Sequence, residues 1–205
     1  MTKTTKEAKA KASTERKTEK TKTIKKSRAL ERDRPPGVTA KLGLYPAVEP
    51  GKPGVQYPYR IGKSKYGVGL FLMQDIPKGS LVWKYGAGVN SITLNNKKEV
   101  MAYLDRMPSD NARKLILEYA YCWQGRVNVL TDHTNFINHA EEGTANIGIR
   151  EDLDIESTYA LRDIKKGEEW FEDYGDWEFP AWYLSICKKY GADFSFVKNG
   201  PQSLK

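Results

Sequence analysis

Beyond residue 58 the chain alternates short apolar runs with turn-forming residues, a pattern of short strands rather than of a helical bundle. The stretch YGVGLFLMQDIPKGSLVWKYG (residues 66–86) holds two aliphatic and aromatic runs separated by DIPKG, whose Asp, Pro and Gly are turn chemistry. Two helical patterns follow. In NNKKEVMAYLDRM (95–107), Val100, Met101 and Leu104 recur at helical spacing behind an Asn cap, and in SDNARKLILEYAY (109–121), Leu115, Ile116 and Tyr119 do the same. Strand patterns resume at RVNVL (126–130), NIGI (146–149) and STYALRDIKKGEEWFEDYG (157–175). FPAWYLSICKKYG (179–191) predicts a last helix with Pro180 near its first turn and Gly191 at its end. The expected class is mainly β, with an internal helical insert and a C-terminal helix.

The first 58 residues read differently. Up to residue 34 the only large aliphatics after the initiator are Ile24 and Leu30, and there is no aromatic. Such a segment buries too little apolar area to offset its conformational entropy, so disorder is expected. RPPG (34–37) stops any helix and marks a boundary, and the Pro/Gly-rich stretch that follows reads as an extended arm lying on the domain. The expected organisation is a disordered basic tail (1–36), an arm (37–58), one folded domain (59–191) and a C-terminal extension (192–205), with no internal repeat.

Charge sharpens this division. The formal net charge of +8 lies wholly in residues 1–36, where thirteen Lys and Arg face five Asp and Glu. The remainder is neutral, so the basic pI describes a tail and not a basic face on the folded part. The tail suits a solubilising role, a nuclear-import signal around KKSRALERDR (25–34), or nonspecific, salt-sensitive contact with nucleic acid. A purely tail-driven nucleic-acid function finds no supporting motif in the rest of the chain.

Two cysteines (Cys122, Cys187) and two histidines (His133, His139) lack metal-ligand spacing, so no metal site is expected and the protein reads as intracellular and reduced. No run of eighteen apolar residues predicts a membrane span, and the N-terminus has neither a secretory h-region nor a transit-peptide composition. Gly67-x-Gly69 reads as a turn or bulge, or as a place where backbone approaches a ligand; it lacks the third glycine and acidic residue of a dinucleotide fingerprint. No nucleophile motif frames His133 or His139, which leaves hydrolase triads little support.

In combination the motifs say more. A Gly-x-Gly strand, a DIPKG turn, NFINHA (135–140) and ALRDIKKGEEWFEDYG (160–175) follow in the order G-x-G, D-I-x-x-G, R-F-x-N-H-S and A-x-R-D-I-x-x-G-E-E-L-x-x-D-Y. Over roughly residues 59–191 the chain therefore resembles the SET-domain family of protein lysine methyltransferases. The resemblance implies a knot-like C-terminal threading that sets the Asn-His and Asp-Tyr segments side by side. It implies S-adenosylmethionine as cofactor, without a metal, held by Tyr66, Gly67, Val68, Gly69, Asn138, His139 and Tyr174. Tyr174 would be the catalytic tyrosine, and Tyr85, Phe136, Trp170, Glu172 and Trp177 would wall the substrate channel. The implied partner is a protein with an exposed lysine, with histone the first guess because many relatives use histones, and nuclear residence is favoured over cytoplasmic. A catalytically inactive module of the same fold that binds a protein tail is the alternative.

The chain also departs from that pattern. Asn135, Ala140 and Glu141 stand where the family commonly has Arg, Ser and Cys, and Ala87 where glycine is frequent. No Cys-rich zinc segment follows the domain, so any lid would come from Trp177, Phe179, Trp182 and Tyr183. Glu172 stands where Phe or Tyr is usual. If the strand persists through WFEDY, Trp170, Glu172 and Tyr174 share one face, and the carboxylate could pair with an ammonium, hold a water or point to solvent. The number of methyl groups added does not follow from the sequence.

Overall fold

The computed structural model describes residues 41–192 except Glu142 and Asp176. The expectations for residues 1–36 and for the extension after residue 192 lie outside the described residues. Among these, no helix is long and apolar enough to cross a membrane.

Twelve strands and three helices are described, in this chain order. The arm contributes β1 (Gly43–Tyr45) and β2 (Gly54–Val55); the domain begins with β3 (Tyr59–Ser64), β4 (Gly67–Leu72), β5 (Leu81–Lys84) and β6 (Ser91–Leu94). The insert consists of α1 (Lys97–Leu104), α2 (Asp110–Tyr119), β7 (Ala120–Trp123) and β8 (Arg126–Leu130). After a 3-10 turn at His133–Phe136 come β9 (Asn138–His139), β10 (Ile147–Gly148), β11 (Thr158–Ala160), β12 (Phe171–Glu172) and α3 (Ala181–Tyr190).

Local chemistry explains the helix ends. Asn96 caps α1 by accepting from Glu99 N at 3.1 Å, while the Glu99 carboxylate reaches back to Asn95 N at 2.8 Å. Ser109 caps α2 through Ala112 N at 3.1 Å. The helix expected over 109–121 stops at Tyr119, because Ala120 turns to extended backbone and opens β7. That change puts Tyr121 on a strand. Gly191 ends α3 in the left-handed region at φ 66°, where a Cβ would be strained.

The strands form three sheets, ordered β1-β3-β4, β6-β8-β7 and β2-β5-β11-β10-β12-β9. The arm is thus built into the framework, β1 pairing with β3 and β2 with β5. Two turns of like sequence, DIPKG (75–79) and DIKKG (163–167), face each other through an Ile76–Ile164 bridge. Asp75 accepts from Lys166 N at 2.9 Å and Asp163 from Lys78 N at 2.8 Å, so each turn satisfies a backbone donor of the other. This short repeat is one that reading for longer periods misses.

In the six-stranded sheet, β12 lies between β9 and β10 and is parallel to both. The connection 140–146 must therefore cross β12 to join its two neighbours, which is the knot-like threading expected from the resemblance. Ala140 N donates to Glu172 O at 2.8 Å and Asn146 N to Phe171 O at 3.0 Å, so both ends of the crossing are tied to the strand it passes.

Two apolar cores flank this threading. One joins the insert to α3, with Leu104, Ile116, Leu117, Tyr183 and Cys187 buried, and Tyr183 OH donates to Leu117 O at 2.9 Å. The other lies among the remaining sheets and includes Ile61, Leu70, Leu72, Ile147, Ile164 and Trp170. The chain from β12 to α3 bridges the two.

Candidate functional site

Parallel pairing of β9 with β12 sets Asn138 opposite Phe171 and His139 opposite Glu172, across more than thirty residues of sequence. Asn138 Nδ2 then reaches β4, donating to Val68 O at 3.0 Å and to Glu169 Oε1 at 2.6 Å. Gly69 is needed for this approach: a Cβ there would sit 2.1 Å from Glu169 Oε1 and 3.2 Å from Asn138 Nδ2. Gly67, at φ 113°, takes a backbone conformation that L side chains rarely adopt, and a Cβ on it would face open space. Tyr66 is exposed beside it, donates to Glu141 Oε1 at 3.2 Å and stands edge-on to Phe171 at 6.0 Å. A cavity of about 340 Å³ opens here, bounded by Lys65, Tyr66, Asn146, Arg162, Glu169 and Phe171 among others.

Tyr174 occupies the other side of the Asn-His pair. Its ring is stacked between His139 (centroids 5.4 Å) and Trp177 (4.0 Å). Its backbone N–H donates to His139 Nδ1 at 3.1 Å, and its hydroxyl donates to Ile137 O at 2.7 Å. The phenol proton is thereby directed at a backbone carbonyl, which leaves the oxygen lone pairs as acceptors. Burial first, then the Glu172 charge and Tyr119, raise the pKa of this phenol well above its usual value. Tyr174 therefore stays protonated at neutral pH and is not a general base, although its oxygen can still accept a hydrogen bond.

Glu172 is half-buried, and burial with the neighbouring Asp173 charge pushes its carboxyl up to about 7. Its charge also acts on Tyr121, whose pKa is raised first by burial, then by Glu172, then by Tyr85 and more distant acids. Tyr121 packs on Trp177 at 5.4 Å. Tyr85 is oriented by Thr93, hydroxyl to hydroxyl at 2.9 Å. Tyr85, Tyr121, Glu172, Tyr174 and Trp177 are thus gathered in one aromatic and acidic cluster.

Two expected channel residues do not join it. Trp170 is 0 % exposed and Phe136 9 %, both in the core with Leu70, Leu72 and Ile147, so neither has surface to offer a channel. The strand does not persist through WFEDY. It covers Phe171 and Glu172 only, and Trp170 is drawn inward, its backbone N–H donating to Leu70 O at 2.8 Å.

Sequence reasoning passed over Tyr121, Glu169 and Asn146. The signal for Tyr121 was the aromatic run YAYCW, which favours strand over the last turn of a helix. Asn146, 1 % exposed, clamps the threaded strand: its Oδ1 accepts from Phe171 N at 2.9 Å and its Nδ2 donates to Glu169 O at 2.8 Å. No local signal marks that role. No group of three or more His, Cys, Asp or Glu suited to a metal ion occurs among the described residues.

Comparison with known families gives a match to the SET domain over residues 67–175, just over half of the chain. Similar solved structures include a candidate histone methyltransferase of Plasmodium falciparum, at 19% identity and TM-score 0.39, covering 60% of this chain and 96% of that one. The methyltransferase domain of human histone-lysine N-methyltransferase SETMAR follows at 23% identity and TM-score 0.40, covering 60% and 46%. A third is ctPRC2 in an autoinhibited conformation bound to S-adenosylmethionine, at 24% identity and TM-score 0.44, covering 68% and 17%. The chain thus spans less than half of the human chain and about a sixth of the third. A search of curated proteins gave no sequence match.

Proposed function

Because the chain belongs to the SET-domain family, we propose that it transfers a methyl group from S-adenosylmethionine to the ε-amine of a protein lysine. The observation that carries this reading is the convergence of Gly67-x-Gly69, Asn138-His139 and Tyr174, which are far apart in sequence and tied by Asn138 to Val68 O at 3.0 Å and by Tyr174 N to His139 Nδ1 at 3.1 Å.

The residues present suit the cofactor. The open backbone at Gly67 and the Asn138 amide would hold its amino-acid end, with Tyr66, Val68, Gly69 and His139 completing the contact. The mixed charge of Lys65, Arg162 and Glu169 around the adjoining cavity matches a zwitterion, and the Tyr66 and Phe171 rings offer apolar surface. Bound there, S-adenosylmethionine supplies an electrophilic methyl group on a sulfonium. The protein's part is to align the amine and to desolvate it.

A lysine with a pKa of about 10.4 must lose a proton at a free-energy cost of roughly 4 kcal/mol at pH 7.4. The cluster of Tyr85, Tyr121, Tyr174 and Trp177 is the channel that would receive it, excluding water and attracting its charge through π faces. Tyr174, its own proton held by Ile137 O at 2.7 Å, would accept an N–H from the amine and so orient the lone pair. Residues 59–191 would form the catalytic unit, and the basic tail of residues 1–36 would add salt-sensitive contact with nucleic acid near a chromatin substrate. Histone is the substrate proposed first.

Calorimetry with S-adenosylmethionine and transfer of labelled methyl to histones and to cell-extract proteins test the reading. Binding with turnover on lysine supports it. A protein that neither binds the cofactor nor labels any lysine refutes it.

A further inference from the structure

We propose that Glu172 is the residue that receives the acceptor amine: its carboxylate pairs with the incoming lysine ammonium and takes one proton from it. This deepens the lysine-methylation reading and rests on it.

The carboxylates around the cluster differ in one respect. Glu156 lies 3.9 Å from Arg126 Nη2, and Asp132 accepts from Trp83 Nε1 at 2.8 Å and from Thr134 N at 3.0 Å. Asp173 accepts from Gly175 N at 2.7 Å and faces His139 Nδ1 at 3.9 Å. Glu172 alone of these four has neither a hydrogen bond nor an ion pair from its side chain among the described residues, although it is half-buried. A partly buried carboxylate with no partner is less favourable than a paired one, so its place amid rings suits a cation that arrives from outside.

The groups facing it leave that role open. Next to it in sequence, just past the strand, is Asp173, whose charge disfavours ionisation; from β9 comes the His139 ring, stacked on Tyr174. From β7 comes Tyr121, on which Glu172 and Tyr85 both act. Among the described residues, no Lys or Arg is among the charges that act on Glu172. The phenols cannot take the proton, since burial raises the pKa of both Tyr121 and Tyr174, and the Tyr174 hydroxyl already donates to Ile137 O.

The proposed step balances. One N–H bond of R–NH3+ breaks and one O–H bond forms on Glu172, giving R–NH2 and a neutral carboxyl. The free lone pair on nitrogen is then the nucleophile that the channel needs. A carboxyl titrating near 7 is matched to that exchange at physiological pH.

The test uses the full chain, wild type and Glu172→Gln, with n-butylammonium as a probe of the lysine side chain. Carboxyl-carbon NMR, with Glu172 assigned by loss of its signal in the variant, follows the titration with and without the probe. The expected result is a carboxyl whose midpoint falls when the probe is added, and probe affinity at least tenfold weaker in Glu172→Gln. Equal probe affinity in the two proteins overturns the proposal. So does a Glu172→Gln variant that methylates with the wild-type kcat/KM and pH profile, an outcome that leaves lysine methylation intact. If wild-type protein binds the probe through Glu172 but methylates nothing, ammonium recognition stands and the methyltransferase reading fails.

Discussion

Replacing Tyr174 by Phe removes one oxygen from the centre of the site and leaves the ring stacked between His139 and Trp177. Two effects follow from the geometry. The Ile137 carbonyl loses its 2.7 Å donor, a loss of about 1–2 kcal/mol for a part-buried hydrogen bond, which lowers Tm by roughly 2–8 °C in a domain of this size. The folded state survives that. The acceptor that would aim the lysine amine also disappears, and an orienting hydrogen bond made in the transition state is worth about 1.5–3 kcal/mol, or roughly 10–150-fold in rate. The proposed cofactor contacts through Asn138, His139 and the glycine strand would remain, so affinity for S-adenosylmethionine should stay within about threefold. Single-turnover methyl transfer on the best lysine substrate, with calorimetry and a thermal melt on the same preparations, separates these effects. A variant with unchanged kcat and KM would remove the hydroxyl from the mechanism, and one that loses cofactor binding would show that the ring stack itself had collapsed.

Further outcomes are expected. In Gly69→Ala the new methyl meets the end of the flexible Glu169 side chain at 2.1 Å, so the fold persists while Glu169 swings away from Asn138; calorimetry should give cofactor affinity at least about fivefold weaker, with Tm nearly unchanged. Trp170→Ala empties a fully buried site and should lower unfolding free energy by about 3–5 kcal/mol in urea, whereas Trp177→Ala, half-buried, should lower stability less and methyl transfer more. Glu172 is raised from an ordinary 4.5 to about 7 on folding, so the folded protein binds the extra proton and its stability falls as pH rises through that window. Glu172→Gln escapes this penalty: its stability advantage should be near zero at pH 4 and reach about 3 kcal/mol at pH 8, and a pH-independent difference would contradict the burial of this carboxyl.

Local chemistry was readable from the chain alone. The cap at Asn96, the stop at Gly191 and the DIPKG turn depend on neighbours a few residues away, and each appears where its residues predict it; the strand pattern read over 157–175 instead breaks at DIKKG into β11 and β12. The Gly-x-Gly, Asn-His and Asp-Tyr segments were legible for a related reason, since each needs particular residue types in a fixed local order. What the residues face was not legible. Trp170, Glu172 and Tyr174 look equivalent at a period of two, yet the strand runs for only two residues: Trp170 sinks into a core, Tyr174 hangs from the Ile137 carbonyl, and Glu172 stays among the rings. Tyr121 joins the aromatic cluster only because Ala120 turns from helix to strand. Sequence determines the turns, caps and motif chemistry because those energies are short-ranged. The threading of β12 beneath residues 140–146, and with it the desolvation of Glu172, is decided by pairing and packing between segments that only the folded chain brings together.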